Sequence, residues 1–325
     1  MQVELTDDPT AFLARDWSDL VAVDPMGTFF HTPAYLKLWW EEFGSGRLLL
    51  AFAVDQGRTV AASAFEIVEG TLTFLGGFDV TDYMGPVGVP GSEESASKEL
   101  LAALLSEVEW ERADLRSLPA ESPWLAALEA AAECQALRVE RGADGAAPMI
   151  ALPPAYQEYL ASLPSKLRHE IRRKERRLTE EAAGYRIRLS APETMAGDLD
   201  RFLELHRSSP GPKSRFMHAG MEIFFRRLAE AFLVPHLFHL AFIEVSGKQA
   251  AGAIGFAFKD TFSLYNSAFD REFVHLSPGM VLVADLIRRA IESGRHTFDL
   301  LKGDLEYKRR FGARPRAIQK LLLER

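Results

Sequence analysis

The order of short apolar segments along the chain is the feature that most restricts its fold. In residues 151–325, after a long charged helix at 165–183, the predicted order is β–α–α–β–β–β–α–β–α–β. Residues 1–150 give most of this order, although the two halves share no repeated sequence. Alternation of this kind indicates an α/β (α+β) fold, in which helices cover the faces of a mixed sheet. We therefore predict two domains of similar architecture, 1–150 and 151–325, which suits a length of 325 residues.

Turn residues and helix starts delimit these segments. Gly57 and Gly70 separate strand patterns in the first half, and Thr32 followed by Pro33 is a typical helix start. The second half supplies the segments on which the functional predictions depend, namely strands at 236–245, 250–258, 261–268, 297–301 and 317–323, and helices at 278–292 and 305–311.

Composition excludes several classes of protein. Hydrophobic residues make up 47% and charged residues 26%, which is typical of a globular chain. The longest apolar runs, 48–54 and 237–243, are strand-sized, whereas a membrane helix needs ~18 residues, so we expect no membrane insertion. The acidic start lacks the features of a signal peptide. A single cysteine excludes disulfides and thiolate-rich metal sites. We expect a cytoplasmic protein.

The charge is unevenly distributed. Residues 1–150 carry 9 Lys and Arg against 25 Asp and Glu, whereas residues 151–325 carry 29 against 21. A basic half within an acidic protein indicates anionic ligands such as phosphates or carboxylates. The excess is too small to predict DNA binding.

Two segments carry a resemblance to a known family. The basic stretch LPSKLRHEIRRKERRL (163–178) and the segment 264–312, which begins LYNSAFDREF, resemble the FemAB-like acyltransferases, and the nearest subgroup is the CelD-like set of GNAT proteins. The resemblance implies a tandem GNAT fold, with two mixed sheets flanked by helices. It also implies transfer of an acyl or aminoacyl group to an amine, on a small molecule or a cell-envelope precursor, in envelope or polysaccharide biosynthesis.

The resemblance places the chemistry in residues 301–312. In GNAT enzymes the strand before the short helix splays from its neighbour, the acyl thioester lies in the gap, and a tyrosine protonates the departing thiolate. Tyr307 has the matching position, and a phenol with a pKa near ~10 can supply that proton. Packing beneath Phe311 is the alternative role. Lys302 and Lys308 are candidates to hold anionic groups, or else are solvated surface residues.

Asp304 is the second catalytic candidate. An amine acceptor must lose a proton before it attacks, and Asp304 or Asp299 is the nearest carboxylate to the expected gap. Asp304 is equally suited to cap the short helix that follows it.

The start of the helix at 278–292 is the expected donor-binding position. In GNAT enzymes this helix start binds the pyrophosphate of coenzyme A, so Ser277, Gly279 and Met280 are the corresponding residues here. Pro278 departs from the usual glycine-rich loop because it has no N–H to donate. Acyl-CoA or acetyl-CoA is therefore one expected donor, and aminoacyl-tRNA is the alternative. Ser277 and Pro278 also make an ordinary helix start.

Further candidates concern the acceptor and other anions. Arg168 and Arg172 are spaced to clamp a phosphate beside Glu175, although a plain charged face with Glu170–Lys174 pairing explains part of the pattern. A loop rich in Pro, Gly and Ser at 208–218 follows His206, which is a candidate base or else a packed or surface residue. The remaining substrate-binding candidates are Lys213, Arg215, Tyr265, Asp82 and Tyr83.

Two functional hypotheses remain from the sequence. The first is an acyltransferase, and the second is a GNAT scaffold without catalysis that binds tRNA, a nucleotide-sugar or another anion. Cys/His metal spacing, Walker loops and hydrolase motifs are absent, so no metal is expected. The expected assembly is a monomer or homodimer.

Overall fold

The computed structural model describes residues 1–181, 184–209, 215–234, 236–303 and 305–325. The chain forms two compact units, one from Met1–Ala146 with Arg316–Arg325 and the other from Ala147–Pro315. None of the helices in the described ranges combines the length and the apolar character needed to cross a membrane.

The N-terminal unit is a mixed sheet with helices. Its strands are β1 (Gln2–Thr6), β2 (Arg47–Asp55), β3 (Arg58–Val68), β4 (Thr71–Phe74), β5 (Val87–Gly88), β6 (Arg112–Pro119) and the beginning of β7 (Arg138–Ala151). Its helices are α1 (Ala11–Ala14), α2 (Ser18–Val23), α3 (Pro33–Phe43), α4 (Glu93–Glu107) and α5 (Pro123–Cys134), with a 3-10 turn at Phe29–His31.

Strand pairing in this unit is antiparallel at first and then includes one parallel pair. Neighbouring strands from β1 to β4 pair antiparallel, whereas β4 and β6 pair in parallel. The parallel pair is joined through α4, as such a crossover requires. The last strand of the chain, β13 (Arg314–Glu324), pairs antiparallel with β6. Leu49, Phe65, Leu115 and Leu321 are buried together in the core of the unit.

From Tyr185 onwards, the C-terminal unit follows a similar order of elements, after two helices that have no counterpart in the N-terminal unit. Its strands are the end of β7, β8 (Tyr185–Leu189), β9 (Phe238–Val245), β10 (Lys248–Phe258), β11 (Thr261–Phe269) and β12 (Thr297–Asp299). Its helices are α6 (Tyr156–Ser162), α7 (Ser165–Glu181), α8 (Met195–Arg207), α9 (Ala219–Leu233), α10 (Pro278–Glu292) and α11 (Glu306–Arg309), with a 3-10 turn at Arg271–Leu276.

Strands β8 to β11 pair antiparallel, and β11 pairs in parallel with β12. The end of β7 completes this sheet by pairing antiparallel with β12. Helix α10 packs on the sheet through an apolar stripe that includes Leu282, Leu286 and Ile287, and α7 adds Ile171 and Leu178 to the same core. This packing puts the start of α10 next to the end of β11, where the candidate site lies.

The predicted mixed α/β class is the one observed. Several elements match closely, including the helices that begin at Pro33 and Pro278 and the strand Tyr185–Leu189. The N-terminal strand Gln2–Thr6 and the helix Tyr156–Ser162 were not predicted. The first is a short edge strand and the second follows two prolines, so neither has a long periodic pattern.

The boundary between the units lies close to residue 150, but the last strand of the chain belongs to the other unit than expected. The boundary lies within β7, at Ala146–Ala147, and residues 316–325 belong to the N-terminal unit. The reason is the pairing of β13 with β6, which no local pattern in the sequence specifies.

Candidate functional site

A pocket of about 330 Å³ lies in the C-terminal unit. Apolar side chains and backbone from β10, β11 and α10 form most of its wall, while a few polar groups also face it. Its lining includes Lys174, Gly252, Ala253, Ser267, Ala268, Phe269, Ser277, Pro278, Gly279, Met280, Leu282, Val283, Tyr307, Arg310 and Phe311. This volume falls within the range of about 300–1,000 Å³ that small-molecule sites occupy. We call it the first pocket.

The pocket adjoins a divergence of two strands. The pairing of β11 with β12 covers only Thr261–Ser263, and β12 ends at Asp299 while β11 continues to Phe269. Within the described residues, the second half of β11 therefore has no β12 partner. A bulge at Tyr265 further interrupts the ladder with β10, because Ile254 pairs with Asn266 and Gly255 with Leu264.

The start of α10 contributes polar backbone to the pocket. Ser277 has left-handed backbone angles (φ 56°), and its hydroxyl makes no capping bond to the helix. That hydroxyl instead accepts a hydrogen bond of 2.8 Å from the Lys174 ammonium, and burial lowers the pKa of Lys174. A Cβ at Gly279 would meet no atom within 4 Å, so this helix start is open to the pocket.

Only part of the first turn of α10 can donate to a ligand. Pro278 has no N–H, and the Met280 N–H donates to the Ser277 carbonyl at 3.1 Å. Among the described residues, the Gly279 N–H has no partner. The structure thus brings the three predicted donor-binding residues of this turn to one pocket, with a single backbone donor available.

Tyr307 lies on α11 and lines the same pocket beside Phe311. It is half-buried and packs against the core of the unit, and burial raises the pKa of its phenol. The phenol therefore stays protonated over a wider pH range than an exposed tyrosine. Both predicted roles of Tyr307, proton donation and packing, are compatible with this position.

Lys308 is not the solvated surface residue that one alternative predicted. It is only 4% exposed, and its ammonium donates to the carbonyls of Leu301 and Lys302, at 2.8 Å each. Leu301 has a positive φ of 60°, and this turn brings both carbonyls towards the lysine. Lys302 itself is half-buried. The other catalytic candidate, Asp304, lies outside the described residues, and Asp299 accepts a 2.7 Å hydrogen bond from the Leu301 N–H.

The two arginines of the predicted clamp do not line a common pocket. Arg172 is exposed and borders a separate cavity together with Glu175, whereas Arg168 is half-buried and borders neither cavity. The same helix instead directs Lys174 to the first pocket. Glu170 lies 3.7 Å from the Lys174 ammonium and 3.5 Å from the Arg310 guanidinium.

Sequence reasoning missed Lys174 and Arg310 as pocket residues. The Glu170–Lys174 spacing was visible, but it also fits an ordinary surface pair, and only the fold shows that this pair reaches the start of α10. Arg310 follows the predicted tyrosine by three residues, which places it on the same helical face.

The acceptor candidates are dispersed. Tyr265 is half-buried and stacks on Phe225 with 5.6 Å between ring centroids, while Arg215 is exposed and Lys213 lies outside the described residues. His206 is 1% exposed, and its Nε2 is 3.1 Å from the Asn266 side-chain oxygen. It is therefore a buried, hydrogen-bonded residue in this structure.

Asp82 and Tyr83 belong to the N-terminal unit. Asp82 is half-buried. Tyr83 is 1% exposed, and the Arg316 guanidinium lies over its ring, 5.2 Å from the centroid. Within the described ranges, no group of His, Cys, Asp and Glu is arranged to hold a metal ion.

Comparison with known families finds a match within the C-terminal unit. Residues 165–309 match the family described as "Acetyltransferase (GNAT) domain". The C-terminal unit is similar to this family over that range. The matched range includes α7, α11 and the lining residues of the first pocket named above, except Arg310 and Phe311. No curated protein sequence matches the chain.

Solved structures resemble the whole chain, including the part that precedes the matched residues. A conserved protein of unknown function from Bacteroides thetaiotaomicron superposes with a TM-score of 0.66 at 14% identity, over 100% of both chains. FemX gives 0.67 at 12% identity, over 98% of this chain and 97% of its own. The C-terminal domain of a putative lysylphosphatidylglycerol synthetase from Agrobacterium fabrum gives 0.60 at 12%, over 98% and 92%. At these identities the likeness concerns the fold alone.

Proposed function

We propose that this protein transfers an acyl group from a thioester donor to an amine, and that the first pocket receives the donor. The observation that carries this proposal is that the open start of α10 and the phenol of Tyr307 line one pocket beside diverging strands. The donor supplies an activated carbonyl and a thiolate that leaves. The amine forms the new C–N bond as the C–S bond breaks.

The charged groups of the pocket suit an anionic donor. Lys174 and Arg310 line it, and the N-terminus of a fifteen-residue helix with one available N–H adds positive potential. Its apolar wall suits a flexible, largely uncharged arm such as pantetheine. We therefore propose acyl-CoA as the donor, with aminoacyl-tRNA as the alternative.

Tyr307 is the proposed proton donor. Its phenol lines the pocket, and its raised pKa keeps the proton available at neutral pH. The proton passes to the departing thiolate, while the ammonium of the acceptor loses a proton before attack. Asp304 remains the proposed base for that step. The proposed acceptor is an amine on a small molecule or a cell-envelope precursor.

A donor screen tests this proposal. The melting temperature of the purified chain would be measured with acetyl-CoA, longer acyl-CoAs, free CoA and charged tRNA, because a ligand that binds the folded state raises it. We expect a rise with acyl-CoA, followed by transfer to an amine panel. No rise with any acyl-CoA would refute the thioester donor, and a rise with charged tRNA alone would favour aminoacyl transfer.

One observation favours a second function, binding without turnover. Pro278 and the internally bonded Met280 N–H leave the helix start with fewer donors than an unsubstituted first turn. The exposed basic residues of α7, including Arg173 and Arg176, would then hold a polyanion. That function predicts affinity for tRNA that falls steeply with salt, because counterions are released on binding, and no product with any donor.

A further inference from the structure

A second cavity in the C-terminal unit has a different chemical character. It measures about 630 Å³ and is bounded by α6, α7, β8 and the later turns of α10. We call it the second pocket and define it by Tyr156, Arg172, Glu175, Tyr185, Asp285 and Arg288. It shares α7 and α10 with the first pocket but no lining residue, and polar side chains dominate its wall.

The formal charges of the second pocket balance. The cations are Arg172, Arg288 and Arg289, and the anions are Glu175, Asp285 and Glu292. Asp285 is 7% exposed, and its carboxylate pairs with both Arg288 and Arg289 on the same helix. This buried carboxylate is therefore already satisfied within α10.

The opposite charges contributed by α7 are not paired in this way. Arg172 and Glu175 are three residues apart, a spacing at which such side chains commonly pair. In the described part of the chain, neither side chain has a hydrogen bond or an ion pair within 4.0 Å. Glu175 is half-buried, and burial raises the pKa of its carboxyl group. The charges of Arg288 and Arg172 offset this effect only in part, so a cationic partner in contact with the carboxylate would be favourable.

Two tyrosines line the second pocket together with the Glu175 carboxylate. Tyr156 and Tyr185 are half-buried, and within the described ranges their hydroxyls have no hydrogen-bond partner. All three groups line the same cavity, and the charge of Glu175 contributes, after burial, to the raised pKa of both phenols. Aromatic rings and a carboxylate together form a favourable environment for an ammonium group.

We propose that the second pocket binds a small zwitterion, of the class of free amino acids, through Glu175 and the two tyrosines at its ammonium and Arg172 at its carboxylate. The proposal fits the neutral total charge of the pocket, since a ligand with a net charge would leave one of these side chains uncompensated. It also fits the volume, which is ample for a molecule of that size. This site is independent of the acyl-transfer proposal, because no residue of the first pocket takes part.

The test uses calorimetric titration of the full chain with free L-amino acids. Each amino acid would be compared with its N-acetyl derivative, which lacks the ammonium, and its carboxamide, which lacks the carboxylate. We expect binding of at least one amino acid, and a loss of affinity of about tenfold or more for both derivatives, since each leaves a charged side chain unpaired.

Variants locate the binding in the second pocket. Glu175→Gln and Arg172→Gln should each reduce the affinity by a similar factor, whereas Lys166→Gln and Glu180→Gln, on exposed positions of the same helix, should not. Binding of no amino acid, equal binding of either derivative, or equal losses in the control variants would overturn the proposal. Normal melting temperatures of the variants exclude a loss of fold as the cause.

Discussion

At the scale of single residues, burial decides what a charged or polar group can do. Tyr307 and Lys308 are neighbours in the sequence, yet one faces the first pocket and the other binds two backbone carbonyls. The proposed acid is therefore the residue with access to a ligand. Its neighbour fixes the turn that follows β12.

Tyr307→Phe tests the proposed acid directly. We expect turnover to fall by about 10²–10⁴-fold, the usual contribution of a positioned proton donor, with little change in the dissociation constant of the donor. Steady-state rates and calorimetric donor binding provide the two measurements. Unchanged turnover would show that the tyrosine only packs, and a parallel loss of donor binding would show that it acts in binding.

A second residue-scale prediction concerns stability and pH. Burial alone would raise the pKa of Asp198, but hydrogen bonds led by those from Arg188, at 2.6 and 2.7 Å, lower it to about 2. A lowered folded-state pKa stabilises the protein above the unfolded value near ~4, and this contribution disappears as pH falls towards 2. Asp198→Asn should therefore cost about 2 kcal/mol at pH 7 and clearly less at pH 3.

Urea unfolding at pH 7 and at pH 3 measures how much the substitution lowers the free energy of unfolding at each pH. The matched control is Asp200→Asn on the same helix, because Asp200 is 64% exposed and pairs with Arg226 at the surface. Such a pair contributes less than about 1 kcal/mol. A loss for Asp198→Asn that does not depend on pH would contradict the predicted linkage.

At the scale of elements, the start of α10 was predicted from the sequence and lines the first pocket. Pro278 begins the helix as predicted, and Gly279 leaves its first turn open to the first pocket. Gly279→Leu should fill part of that pocket and remove the rise in melting temperature caused by the donor. The fold should tolerate the change, because no atom lies within 4 Å of the new Cβ.

Gly197 supplies the control for this substitution. It is an exposed glycine within α8, also with no atom within 4 Å of a Cβ and outside the first pocket. Gly197→Leu should retain the full effect of the donor on melting. If the two variants respond alike, the donor does not bind at the start of α10.

At the scale of the whole molecule, the end of the chain completes the N-terminal unit. Strand β13 pairs with β6 and buries Ile318, Leu321 and Leu323 almost fully. Each buried aliphatic side chain contributes about 1.5–3 kcal/mol, and the stability of a domain is only ~5–15 kcal/mol. Deletion of residues 314–325 should therefore unfold the N-terminal unit.

Limited proteolysis would detect this loss as rapid cleavage between residues 1 and 146. Leu321→Ala is a milder version with an expected cost of about 2–5 kcal/mol, and Leu322→Ala, at a half-buried position, should cost less. A truncated chain as resistant as the intact one would show that β13 is dispensable.

The sequence by itself determined the order and boundaries of most elements, the mixed α/β class and the helix start at Ser277–Met280. These features depend on local periodicity, turn residues and caps, which neighbouring residues specify. Only the tertiary structure decided that β13 pairs with β6, that Lys308 is buried, and that Arg168 and Arg172 line no common pocket. Those outcomes depend on strand pairing and packing between residues far apart in the chain, and the same local pattern is compatible with several of them.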